Sequence, residues 1–189
     1  MASNDGLTFS HMGFFVRDIA SMTRFYTEIL GMTVTDCGDL ATPADPVELV
    51  FLSRDPHNHH QIALVSGRPA EVTFNVINQI SFAASSVETL QKFYKRLQKA
   101  AVEELVAVTH GISLSVYFND PEGNRVELYF DTPWYVTQPA RVALPIELQA
   151  EELMQWVEAH ARTLEGFRPR NEWTKEIKMR IEANDAKPD

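Results

Sequence analysis

The sequence predicts an α+β fold: two βαβββ modules whose curved mixed sheets pair around a cavity, followed by a C-terminal helical tail. Three observations predict it. The segment opening at His11 has a partner opening at Gln79, and the pairs His11/Gln79, Phe25/Phe93 and Tyr26/Tyr94 are each separated by 68 residues. In both segments a strand-like run precedes a helix-period stretch and three further strand-like runs follow it. With 44% hydrophobic and 23% charged residues in 189, the chain carries enough apolar material for a real core.

The first strand is expected over 11–16, His-Met-Gly-Phe-Phe-Val. Met22, Phe25, Tyr26, Ile29 and Leu30 then share one face of a helix over Ser21 to Leu30, and Gly31 is placed to end it. Strands are expected at Thr33 to Cys37, Val47 to Ser53 and His60 to Val65, between polar or Pro-containing segments. The second half repeats the order: a strand over 79–84, a helix from Ser86 to Ala100 with Leu90, Phe93, Tyr94 and Leu97 inward, and strands at Glu104 to Val108, Ser113 to Phe118 and Arg125 to Phe130. Asp-Pro-Glu-Gly-Asn at 120–124 is a strong turn between the last two, because Pro presets one dihedral and Gly or Asn accepts positive φ. Neither module can cover both faces of its sheet alone, so pairing the two sheets is the simplest arrangement. The boundaries expected are 7–70 for the first module, 75–133 for the second and 134–189 for the tail. In the tail Pro133, Pro139 and Pro145 suit an irregular connector, while Leu153, Met154, Val157, Ala161 and Leu164 recur at helical spacing. A second short helix is expected from about Asn171 to Ala183, and the tail reads as packing or dimer material.

A formal net charge of −9 and no local Lys/Arg cluster argue against nucleic acid or an acidic membrane as partner. Met1 to Asp18 has no basic region followed by an apolar one, and no window approaches eighteen uninterrupted apolar residues. A soluble, cytoplasmic protein is expected. The single cysteine, Cys37, excludes an internal disulfide or a thiolate metal cluster within one chain and is expected to be buried. Metal or acid-base chemistry must therefore use His, Asp, Glu or amide groups. The absence of a phosphate loop, a Gly-x-Gly-x-x-Gly run and a Gly-x-Ser-x-Gly elbow leaves nucleotide and serine-hydrolase chemistry unsupported.

A histidine opening one first strand, with Asp-Pro-Glu-Gly-Asn-Arg-Val-Glu-Leu-Tyr (120–129) after Tyr117-Phe118 on the last hairpin, resembles the vicinal oxygen chelate superfamily. That superfamily includes glyoxalase I, bleomycin-resistance proteins and type I extradiol dioxygenases. The resemblance covers about residues 7–133 and is closest to small single-domain relatives of the ring-cleaving dioxygenases. It implies metal ligands at His11, Gln79 and Glu127. His11 and Glu127 match the family pattern; Gln79 stands where the dioxygenases have a second histidine of the two-His-one-carboxylate triad for Fe(II). Fe(II) is thus the implied cofactor, with Mn, Zn or Ni as alternatives, since glutamine is a ligand type of glyoxalase-like sites.

The resemblance also implies roles for three further residues. His60 is the acid-base residue of a His59-His60 pair that strand alternation would send to opposite sides, or else a fourth ligand; the plainer alternative is that both rings cap a strand end. Tyr117, ten residues before Glu127, would contact substrate, or would be a core aromatic. His110 would contact the substrate's ionised oxygen, or be a solvated loop residue. Phe14 and Phe82 would wall the ring. His57 and His160 receive no role. The implied activity is extradiol cleavage of a catechol or related small aromatic diol with O₂, by a homodimer or higher homo-oligomer. The alternatives are a glyoxalase-like isomerase or lyase, and a non-catalytic binding protein of the bleomycin-resistance type.

Overall fold

The computed structural model describes residues 8–41 and 46–185. β1 (Met12–Val16) leads to a helix, α1 (Ile19–Arg24), continued by π-helical turns over Phe25–Ile29. It starts two residues before the expected Ser21 because the Asp18 carboxylate caps it, accepting the Ser21 N–H at 2.9 Å. Gly31, at φ 69°, closes it as expected. β2 (Thr33–Leu40), β3 (Val47–Ser53) and β4 (Ile62–Ser66) complete a first sheet of order β1-β4-β3-β2, with β1 parallel to β4 and the remaining pairs antiparallel.

The second half repeats this order. β5 (Ile80–Ala83), α2 (Val87–Lys99), β6 (Val106–Thr109), β7 (Ser113–Asn119) and β8 (Arg125–Asp131) form a sheet in which β5 lies parallel to β8 and the other pairs are antiparallel. The connector contributes β9 (Trp134–Tyr135) and β10 (Val142–Ala143), and β10 extends this sheet beyond β6. α3 (Ala150–Ala161) buries Leu153, Val157 and Ala161, the packing expected of the tail. β11 (Arg168–Pro169) pairs with β9, and α4 (Arg170–Asp185) follows.

One apolar core joins the halves. Met22, Phe25, Tyr26 and Leu30 of the first helix pack with Leu52, Ile62 and Leu64 in the same cluster as Leu90, Leu97, Val116, Phe118 and Leu128. Phe25 meets Phe118 with ring centroids 6.2 Å apart. The 120–124 turn seals the junction: Glu122 accepts the Arg17 and Asp18 backbone N–H groups and pairs with buried Arg68 at 3.5 Å.

Two expectations fail here. Cys37 is exposed rather than buried, because β2 runs on to Leu40 as an edge strand exposed along its whole length. The connector is not wholly irregular, since β9 and β10 both pair. No helix among the described residues is long and apolar enough to cross a membrane.

Candidate functional site

Cross-strand register decides which side chains meet. Ser81 of β5 lies opposite Glu127 of β8, and Glu127 lies opposite Tyr117 of β7. These three therefore share one sheet face, with Gln79 immediately before β5 reaching the same carboxylate. Gln79 Nε2 donates to Glu127 Oε2 at 2.7 Å, and Ser81 Oγ donates to the same oxygen at 2.6 Å. Glu127 is only 7% exposed, and no Lys, Arg or His lies within ion-pair distance of it among the described residues. A buried carboxylate held by neutral donors alone is costly.

Tyr117 carries the network outward. Burial, and then the Glu127 carboxylate beside it, push its phenol up to about 12. The hydroxyl therefore keeps its proton at neutral pH. It lies 2.9 Å from His110 Nε2, while His110 Nδ1 lies 2.8 Å from the Ala140 carbonyl. A carbonyl only accepts, so Nδ1 carries the imidazole proton and Nε2 accepts from Tyr117. Gly111 sets this geometry. It sits at φ 76°, and a Cβ there would fall 2.5 Å from Val136 Cγ2, while its carbonyl accepts from Trp134 Nε1 at 2.7 Å.

His11 and His60 form a second cluster, on the first sheet. His11 precedes β1 instead of opening it and is exposed. Its ring lies 4.2 Å from that of His60, which also packs 4.9 Å from the Phe51 ring. Burial, and then the neighbouring His11 and His59 rings, hold His60 below the usual histidine value, so the neutral imidazole prevails at neutral pH. His59 and His60 do not diverge as expected. Both pack against Phe51 at steep ring angles, with their Nδ1 atoms 3.0 Å apart, because β4 begins only at Ile62 and strand alternation does not reach them.

The expected site residues thus fall in two groups: Gln79, Glu127, Tyr117 and His110 on the second sheet, His11 and His60 on the first. Among the described residues no three His, Cys, Asp or Glu side chains converge closely enough to hold a metal ion. Phe14 and Phe82 do not wall the site. Phe14 packs toward Tyr26, and alternation along β5 turns Phe82 away from Ser81 and Glu127. Sequence reasoning missed Ser81, although its place two residues after Gln79 on one strand was a usable signal. It also missed Arg125, two residues before Glu127, and Arg141. Their guanidinium carbons lie 4.2 and 6.0 Å from the Tyr117 ring centroid.

A profile of the Glyoxalase/Bleomycin resistance protein/Dioxygenase superfamily matches residues 8–128. The chain is 30% identical over 127 residues to biphenyl-2,3-diol 1,2-dioxygenase 3 of Rhodococcus globerulus, covering 65% of this chain and 62% of that protein. It is 30% identical over 87 residues to biphenyl-2,3-diol 1,2-dioxygenase 2 of the same organism, covering 44% and 45%. The matched stretch thus spans less than two thirds of either relative's length. Among solved structures, a glyoxylase/bleomycin resistance protein/dioxygenase domain from Frankia sp. EAN1pec superposes with a TM-score of 0.54 at 22% identity, over 67% of this chain and 93% of that one. A fosfomycin resistance protein, FosX, from Listeria monocytogenes gives 0.50 at 20% identity, over 66% and 94%. Those structures share the fold, and the match at 8–128 shows that this chain belongs to the glyoxalase/bleomycin resistance protein/dioxygenase superfamily.

Proposed function

We propose that the protein is a metal-dependent, extradiol-type dioxygenase acting on a catechol or related small aromatic diol. The observation that carries this reading is the buried Glu127 carboxylate, held beside Gln79 and in register with the Tyr117–His110 pair. The donor chemistry suits a divalent cation: Glu127 has no counter-charge among the described residues, and turning over the Gln79 amide would present its carbonyl oxygen. His11 supplies the imidazole of the proposed set His11, Gln79 and Glu127. Fe(II) held there would supply the redox centre at which diol and O₂ react.

The chain's own side chains account for the rest. His60, neutral at working pH, takes the proton of one diol hydroxyl and returns it as the ring opens. The proton is returned because both atoms of O₂ enter the ring-opened product. Tyr117 keeps its proton, gives it to His110 Nε2 in a hydrogen bond, and so presents its hydroxyl oxygen to accept from a substrate hydroxyl. A homodimer is proposed as the assembly, supported by a cluster of exposed apolar side chains that includes Phe15, Phe74, Val76 and Ile77.

Reconstitution with Fe(II) under anaerobic conditions, then addition of catechol or dihydroxybiphenyl at an oxygen electrode, tests the reading. Oxygen uptake with a coloured ring-fission product is expected, and its absence across a panel of diols would refute it. Gln79 favours one second reading, a glyoxalase-like isomerase using Zn, Mn or Ni. Gln79→His separates the two: higher iron content and faster oxygen-dependent turnover support the dioxygenase, whereas loss of a redox-neutral activity supports the isomerase.

A further inference from the structure

Beside the Tyr117 ring, on the side away from β5, lies a cavity of about 200 Å³ lined by Glu104, Val106, Tyr117, Asn119, Arg125 and Arg141. Arg68, Arg162, Arg168, Arg170 and Arg180 each pair with a carboxylate, and Arg17, Arg54 and Arg96 donate to backbone carbonyls. Arg125 and Arg141, like the exposed Arg24, have no carboxylate within ion-pair distance and donate no hydrogen bond among the described residues. Glu104 shares the cavity but pairs with neither. What holds the two arginines is the face of Tyr117, with guanidinium carbons 4.2 and 6.0 Å from its centroid. Arg125 is half-buried and is fixed in place by the β8 ladder, where it lies opposite Asn119.

Like charges gathered on one ring repel, and an anion seated between them relieves that repulsion. A guanidinium presents a planar fork of donors that matches a carboxylate, and two forks with an adjacent side-chain amide form an anion cradle. We infer that Arg125, Arg141 and Asn119 bind a carboxylate carried by the substrate, so that the substrate class is an aromatic diol bearing an acid group. This rests on the reading of the site as one for aromatic diols. The acid group lies along the Tyr117 ring from the hydroxyl that meets the diol oxygens. Arg125 and Arg141 are specificity determinants, and a neutral diol leaves their charges unanswered.

Equilibrium dialysis of the metal-free protein against 3,4-dihydroxybenzoate, benzoate and catechol tests the inference without catalysis. Dihydroxybenzoate is expected to bind roughly tenfold or more tighter than catechol, with benzoate retaining most of the acid's advantage. Arg125→Gln or Arg141→Gln should each remove much of that advantage and the double variant all of it, while Glu104→Gln should enlarge it. Circular dichroism and a urea midpoint for each variant separate loss of the cradle from loss of the fold. Equal binding of acid and neutral diol by the wild type would overturn the inference. So would a preference that survives the double substitution in a folded protein. Acid-selective binding without oxygen uptake after Fe(II) loading would leave the carboxylate cradle standing and remove the dioxygenase reading; cleavage of neutral diols with no preference for acids would do the reverse.

Discussion

Tyr26 is fully buried, and its hydroxyl donates to Asp120 Oδ2 at 3.3 Å. Asp120 in turn accepts the Glu122 and Asn124 backbone N–H groups and the Asn124 side-chain amide, at 3.0, 2.8 and 2.8 Å. One carboxylate therefore holds the turn and ties it to the first helix. Asp120→Ala orphans these donors and should cost about 3 kcal/mol in urea unfolding. Tyr26→Phe removes one of four bonds and should cost about 1 kcal/mol. Burial first, then the Asp120 charge, raise the Tyr26 phenol well above its ordinary value. A raised folded-state pKa means that the stability is present below the unfolded value and is lost as pH rises through and beyond it. The wild type should therefore lose stability faster than Tyr26→Phe from about pH 9 to pH 11, read as urea midpoints across that range.

At the scale of elements, the turns control the chemistry. Gly111 lets the segment between β6 and β7 place His110 against Tyr117. Gly111→Ala forces a side chain into left-handed backbone and against Val136. It should destabilise by at least about 1–2 kcal/mol, and it should lower turnover more than the fully folded fraction explains, because His110 shifts. Capping sets the helix starts: Ser86 Oγ accepts the Thr89 N–H at 3.1 Å, as Asp18 does for Ser21. Ser86→Ala should cost about 1 kcal/mol, measured by thermal unfolding. The first helix was legible from its apolar face, but its first two residues were not, since a cap depends on where one carboxylate points. β2 was read three residues short because an edge strand exposed throughout carries no burial pattern to reveal its end.

Across the whole molecule, the two halves are joined by the shared apolar core and by Glu122, whose carboxylate spans from the Arg17 and Asp18 amides to Arg68, with both paired side chains 7% exposed. Glu122→Ala leaves a buried guanidinium unpaired and should cost about 3–5 kcal/mol, seen as a lowered urea midpoint. The apolar cluster around Phe74, itself 79% exposed, is the surface for the proposed dimer. Phe74→Glu should convert the dimer to a monomer in light scattering while the circular dichroism spectrum stays unchanged. A wild-type monomer at the same concentrations would refute the assembly.

The 68-residue repeat, the helix faces and the Asp-Pro-Glu-Gly-Asn turn determined the βαβββ order, because periodicity and turn chemistry are local properties; the candidacy of Glu127 came from the resemblance to the superfamily. Gln79, Glu127, Tyr117 and His110 were nameable through the sequence's resemblance to the superfamily; that they meet as two hydrogen-bonded pairs, Gln79 with Glu127 and Tyr117 with His110, was decided by the fold, with strand register setting Glu127 opposite Tyr117. Tertiary structure alone decided that the His11 and His60 rings pack together, that Cys37 faces solvent, and that Arg141, immediately before β10, joins Arg125 at the Tyr117 ring. Each depends on which distant segments become neighbours, a product of packing that no single stretch of chain encodes.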